Sequence, residues 1–283
     1  MSTRVRDIFF STFDTLRHEP TDKRIRAMLD GATVVDSTRA VLLWEPRRIV
    51  PSYAVPEADV RAELSDAKVA TATADDVGVA LPTVSQRPVL DPSVPFGAHT
   101  ADGQPVDLQV SGTVWEGAGF RLSDADLAGY VVLDFGAFDG WLEEDEPNVA
   151  HPRDPFHRID VLASSRHGVV ERDGAVLADS SRPMVLFETM LPPRYYLPRE
   201  DVRVDLVPSE TQTYCAYKGQ ATYWSPQVGE RVLADLAWSY EEPLHDADQV
   251  RGAIAFYNER VDLVVDGEPV SRPQTPWSRR SET

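Results

Sequence analysis

The chain has a single cysteine, Cys215, and only three lysines, Lys23, Lys68 and Lys218, among 283 residues. One thiol excludes an internal disulfide framework and any zinc site built on several thiolates. Positive charge of any kind is scarce: 28 Lys and Arg stand against 46 Asp and Glu, a formal net charge of −18. A field of that sign opposes both nucleic-acid phosphates and anionic membranes, so neither is an expected partner. No apolar run approaches the roughly 20 residues that cross a bilayer, and residues 1–4 lack the apolar stretch of a secretion signal. The 42% of hydrophobic residues is enough for a core. A soluble, acidic, cytoplasmic globular protein is expected, and nothing in the composition implies a cofactor.

Self-comparison is the most informative step. Residues 30–45 align with 173–188, and eight of the sixteen positions are identical: Asp30/Asp173, Gly31/Gly174, Ala32/Ala175, Asp36/Asp179, Ser37/Ser180, Arg39/Arg182, Leu43/Leu186 and Glu45/Glu188. After a one-residue slip, 51–64 aligns with 193–206 through seven identities in fourteen, among them Pro51/Pro193, Tyr53/Tyr195, Asp59/Asp201 and Leu64/Leu206. Later parts align loosely. Trp115-Glu116-Gly117 is set opposite Tyr217-Lys218-Gly219, Val132-Leu133 and Ala137-Phe138 opposite Val232-Leu233 and Ala237-Trp238, and residues 158–161 opposite 260–263. Two copies of so long a period indicate tandem domains rather than a solenoid. The reading is an N-terminal helical segment 1–20, repeat 1 over 21–165, repeat 2 over 166–275 and a tail over 276–283, with the two repeats packed on each other and the chain from Pro273 to Thr283 a disordered end. Leu64 to Trp115 is much longer than Leu206 to Tyr217, so repeat 1 carries about forty extra residues, 65–104, read as a surface loop or added hairpin.

Short alternating apolar runs bounded by Gly, Pro and Asp predict a mainly β protein. Asp30-Gly31, Asp173-Gly174 and Asp266-Gly267 are hairpin-turn dipeptides. Two helices are expected: one near the N-terminus from the stripe Val5, Ile8, Phe9, Phe13 and Leu16, and a short one started by Asp246 or Asp248 and running through Val250 and Ile254.

In the second copy, Glu188, Pro193, Tyr195-Tyr196, Pro198, Asp201-Val202, Cys215 to Gly219, Ala221, Tyr223, Ala237-Trp238, Tyr240, Pro243, Gly252, Ala255 to Tyr257 and Val265 to Gly267 form a run with a recognisable order and spacing. It resembles the bacterial family called domain of unknown function 427, also labelled nucleotidyltransferase-like. The first copy is similar through Leu64 and weakly afterwards, and Ala216 stands where the family commonly has proline. The resemblance implies two β-tent-like domains, similar to methionine-R-sulfoxide reductase B and to the ligand-binding domain of cereblon. Many such domains hold zinc with paired cysteines, which this sequence lacks, so apolar packing must hold the tents.

Three function classes follow from the residues. Lys218, one of three lysines, is flanked by Tyr217 and Gly219; with Glu188, Tyr195, Tyr223, Trp238 and Tyr240 it suits an aromatic pocket for an anionic or carbonyl-bearing small molecule. Cys215, Lys218 and Glu188 are alternatively the candidates for a catalytic centre, thiol-dependent or nucleotidyltransferase-like, although a lone cysteine is most often packing. Asp124/Asp126 and Asp246/Asp248 have the residue types for a metal but read equally as turn caps, so no metal site is assigned. The six histidines show no helical pairing. The third class is an interaction scaffold. Arg39/Arg182, Asp36-Ser37/Asp179-Ser180 and Glu45/Glu188 recur in both copies and read first as structural bonds, and residues 143–146 as a solvated acidic loop matched by Glu241-Glu242.

Overall fold

The structure is a computed structural model that describes residues 2–68, 77–81 and 84–279. The chain forms two compact units, Met1–Asp154 and Pro155–Thr283. Both are mainly β, and the one α-helix among the described residues, α1 (Val5–Ser11), lies near the N-terminus. Among the described residues no helix is long and apolar enough to cross a membrane.

The first unit has strands β1 (Arg17–Pro20), β2 (Ile25–Leu29), β3 (Ala32–Ser37), β4 (Val41–Trp44), β5 (Ser52–Pro56), β6 (Glu63–Asp66), β7 (Gly103–Val110), β8 (Thr113–Leu122), β9 (Tyr130–Leu133), β10 (Gly140–Glu143) and β11 (Glu146–Asn148). They make a large sheet, β1-β4-β5-β9-β8-β7-β6, and a small one, β11-β10-β2-β3. The second unit has β12 (Ile159–Ala163), β13 (Gly168–Arg172), β14 (Ala175–Ser180), β15 (Met184–Glu188), β16 (Arg194–Leu197), β17 (Asp205–Cys215), β18 (Gly219–Val228), β19 (Arg231–Val232), β20 (Ala237–Ser239), β21 (Ile254–Phe256), β22 (Asp262–Val265) and β23 (Glu268–Val270). Its large sheet runs β12-β15-β16-β21-β20-β18-β17, with β19 on β18, and its small sheet β14-β13-β22-β23.

Local chemistry places these strands. Asp30-Gly31, Asp173-Gly174 and Asp266-Gly267 all have positive φ at both residues, 50° to 84°, the two-residue turn whose twist matches its flanking strands. They turn β2 into β3, β13 into β14 and β22 into β23. The recurring Ser, Arg and Asp are a shared brace: Ser37 Oγ donates to Asp59 (2.6 Å) and Arg39 pairs with the same carboxylate, while Arg182 pairs with Asp201, which also bonds Ser180. Each unit then buries its sheets on one another, around Ile25, Leu29, Leu42, Trp44, Tyr53 and Trp141 in the first and around Leu177, Leu186, Tyr196, Tyr223, Trp238 and Ile254 in the second.

The strand register revises several alignments. Trp141 pairs with Ala27 and Leu263 with Val170, and Ala27 and Val170 are repeat equivalents. Residues 260–263 are therefore matched by the approach to β10, not by 158–161, which enter β12, the counterpart of β1. The acidic run 143–146 is matched by the β22–β23 hairpin, not by Glu241-Glu242, and it is only partly solvated: Glu143 is buried and accepts a 2.6 Å bond from the Tyr53 hydroxyl. β9 and β21 occupy the same place beside β5 and β16, and β8 and β20 the same place beside those, so the counterpart of Trp238, which pairs with Ala255, is Phe120, which pairs with Val132, and not Phe138. The units divide at 154/155 rather than at 165/166, because β12 pairs with β15.

Three further expectations change. α1 stops at Ser11 and leaves Val5, Ile8 and Phe9 exposed, whereas Phe13, beyond it, is buried. The second expected helix is a 3-10 helix, His245–Val250, and Ile254 belongs to β21. The tail is not a loose end throughout: Thr275 is buried and Trp277 packs on the core, while 280–283 lie outside the described residues. The insertion read at 65–104 falls between β6 and β7, whose counterparts β17 and β18 are joined by a short turn; β7 lies between β6 and β8 as β18 lies between β17 and β20. Its residues 69–76, 82 and 83 lie outside the described residues.

Candidate functional site

β15 ends on Glu188, and β12 runs antiparallel beside it with Ile159 opposite Glu188. That pairing brings His157, two residues upstream of Ile159, within reach, and His157 Nε2 lies 3.0 Å from Glu188 Oε1. On the other side the β17–β18 turn delivers Lys218. Gly219, at φ +88°, permits the turn, and the Leu244 N–H fixes it by donating to the Lys218 carbonyl (3.1 Å). Lys218 Nζ stands 2.6 Å from each oxygen of Glu188. Their side chains are 9% and 6% exposed, and the imidazole of His157 is 18% exposed. His157 lies nearly parallel to the ring of Tyr217, centroids 4.3 Å apart.

The charges of the Glu188–Lys218 pair are fixed. Burial works to raise the Glu188 carboxyl, but Lys218 and His157 outweigh it and hold the group down at about 2. Burial works to strip the proton from Lys218, but Glu188 foremost, then Cys215 and Tyr196, keep it bound well above the ordinary lysine value. Burial pushes the Tyr196 hydroxyl up to about 12 and that of Tyr240 well above its ordinary value. A carboxylate that stays ionised has no proton to donate, and an amine that stays protonated is not a nucleophile. The pair presents charge rather than moving protons.

The structure brings together Glu188, Lys218 and Tyr217, with Cys215 in electrostatic reach of Lys218. Trp238 and Tyr240 join through Tyr196: the Trp238 Nε1–H donates to the Tyr196 hydroxyl (3.2 Å), and the rings of Tyr196 and Tyr240 are 6.4 Å apart. Tyr223 is set further off, its hydroxyl bonded to those of Tyr257 (3.0 Å) and Thr213 (3.1 Å). Tyr195 lies elsewhere, because neighbours on a strand face opposite ways. It lines a 190 Å³ cleft with Pro192, Pro193, Asn258, Val270, Ser271 and Pro273. His157 and Tyr196 were missed. Tyr196 was readable from strand alternation; His157 carries no spacing signal, being joined to Glu188 only by strand pairing. Asp124 is a turn cap, accepting from the Asp126 N–H (3.0 Å), and Asp248 pairs with Arg251.

The first unit treats the same position differently. Glu45, the counterpart of Glu188, is buried and accepts from the N–H groups of Thr100 (2.6 Å) and Ala101 (3.0 Å) and meets His99 Nδ1 (2.8 Å). All three belong to the insertion. Arg48 steadies it by donating to the carbonyls of Val94, Pro95, Phe96 and Ala98. Glu116 is exposed within β8, so it is not the counterpart of Lys218 in its turn; inserted chain takes that place.

A family model described as Domain of unknown function (DUF427) matches residues 17–80 and 160–267. The first match stops inside the insertion and the second runs almost through the whole second unit. No curated protein matches the chain.

Proposed function

The chain belongs to the DUF427 family, and on that premise we propose that it binds a small molecule in its second unit, beside Lys218 and Glu188. The observation that carries this reading is the buried Lys218–Glu188 pair. Buried ion pairs add little net stability over apolar packing, so a role in gripping something explains this one better than a role in the core. An ammonium has three donors; Glu188 takes two, and an anionic or carbonyl oxygen of the ligand takes the third. Tyr217, Trp238 and Tyr240 supply apolar walls.

The test is a thermal-shift screen against metabolites and nucleotides, with and without Mg²⁺. A ligand at a hundred times its Kd adds about 2.7 kcal/mol. Glu188→Gln/Lys218→Met, which removes both charges at similar volume, should abolish the shift; an unchanged shift in that variant refutes the assignment. Cys215 beside Lys218 favours a second reading, a thiol-dependent enzyme. It requires iodoacetamide to modify Cys215 faster in the wild type than in the neutral double variant.

A further inference from the structure

Only the carboxylate of the two clusters is inherited from the repeat. The imidazole and the ring beneath it come from different elements in the two units. In the first unit the imidazole comes from the insertion and lies flat on Phe120 of β8, with centroids 3.6 Å apart and planes at 11°. In the second it comes from the segment before β12 and lies on Tyr217 of the β17–β18 turn, at 4.3 Å and 19°. Different ring nitrogens point at the carboxylate, Nδ1 in His99 and Nε2 in His157. Neither carboxylate needs the imidazole as a donor: Glu45 already has two backbone N–H groups and Glu188 already has the ammonium on both oxygens. The seats differ in access, His99 being 4% exposed and His157 18%.

We propose that the carboxylate and the aromatic ring form a slot for a planar heterocycle of imidazole size with an in-plane N–H, and that His99 and His157 are its tethered occupants. A flat ring gains stacking on one face while its edge N–H meets a charged acceptor, a combination that an aliphatic amine cannot reproduce. The slot of the first unit is sealed by inserted chain. That of the second is open to an outside ligand, whose ring replaces His157 while its oxygen meets Lys218. This deepens the binding reading above and rests on it.

Free imidazole is the probe, titrated by calorimetry into the whole chain. His157→Ala should bind it saturably, at least ten-fold more tightly than the wild type, where the tethered ring competes. Adding Tyr217→Ala should cost at least ten-fold. In the wild type, imidazole should move the His157 ring resonances toward those of a solvent-exposed histidine. Binding by His157→Ala no tighter than by the wild type, or indifferent to Tyr217→Ala, overturns the proposal. A metabolite that binds through Lys218 but ignores Tyr217→Ala overturns the slot alone. Saturable imidazole binding with no metabolite hit leaves the slot standing and overturns the wider reading.

Discussion

The guanidinium of Arg194 meets the carboxylate of Glu259 through two bonds, Nη1 to Oε2 at 2.8 Å and Nη2 to Oε1 at 2.6 Å. Both side chains are almost wholly buried. The guanidinium also lies 5.6 Å from the rings of both Trp238 and Trp277, and the Thr275 hydroxyl donates to Glu259 Oε1 at 2.6 Å. The end of the chain thus closes over a buried charge pair, and its removal reaches the core.

Thr275→Val should cost about 1–3 kcal/mol, because a buried charged acceptor loses a donor. Trp277→Ala should cost about 2 kcal/mol through lost packing and cation–π contact, less than for a fully buried indole. Urea denaturation of the two variants checks both values, and an unaltered midpoint would mean the tail is not held in solution.

For the ion pair of the second unit, Lys218→Met should cost about 3–5 kcal/mol, since it strands a buried carboxylate. Glu188→Gln/Lys218→Met should cost less than that single change. A double-mutant cycle measures the difference; additive losses would show that the two charges do not interact.

The pH dependence follows from the directions of the shifts. Glu188 is depressed, so its contribution is full above its ordinary 4.5 and lost as pH falls through about 2. Lys218 is raised, so its contribution is full below its ordinary 10.5 and lost only as pH rises beyond that value. In a His157→Ala background, the stability difference between the intact pair and the neutral double variant should therefore be flat from about pH 5 to pH 10. A slope near neutrality, followed by denaturant titration at several pH values, would contradict the assigned charge states.

In the first unit, Glu45→Gln weakens three bonds to the insertion. Hydrogen exchange at the Thr100 and Ala101 amides should accelerate at least ten-fold, with about 2–3 kcal/mol lost from the unit. Unchanged exchange would mean that Arg48 alone holds the insertion.

Much of the frame was legible because it rests on local rules. Asp-Gly turns marked the hairpins, and Ser37, Arg39 and Asp59 recurred as Ser180, Arg182 and Asp201 because both copies need the same brace. The loose alignments failed because the large sheets follow the same strand path but join the strands differently: the insertion lengthens the β6–β7 connection of the first unit and the β18–β20 connection is the longer one in the second, which displaces everything matched by spacing alone, and that is why Phe138 was set against Trp238. Lys218 and Glu188 were found by residue type. His157 was not, since 31 residues separate it from its partner and only the pairing of β12 with β15 brings them together.

The insertion also bears on how the first unit folds. Glu45 is joined to Thr100 across 55 residues, whereas Glu188 is joined to Lys218 across 30. Closure entropy grows only with the logarithm of loop length, so the longer span costs about 0.5 kcal/mol more. The extra chain is therefore a small equilibrium burden, but Glu45 stays without its donors until a distant segment returns, and β7 must find β6 across the same gap. Because non-local contacts slow folding, the first unit is expected to complete its buried carboxylate later than the second, although both began from one ancestral sequence.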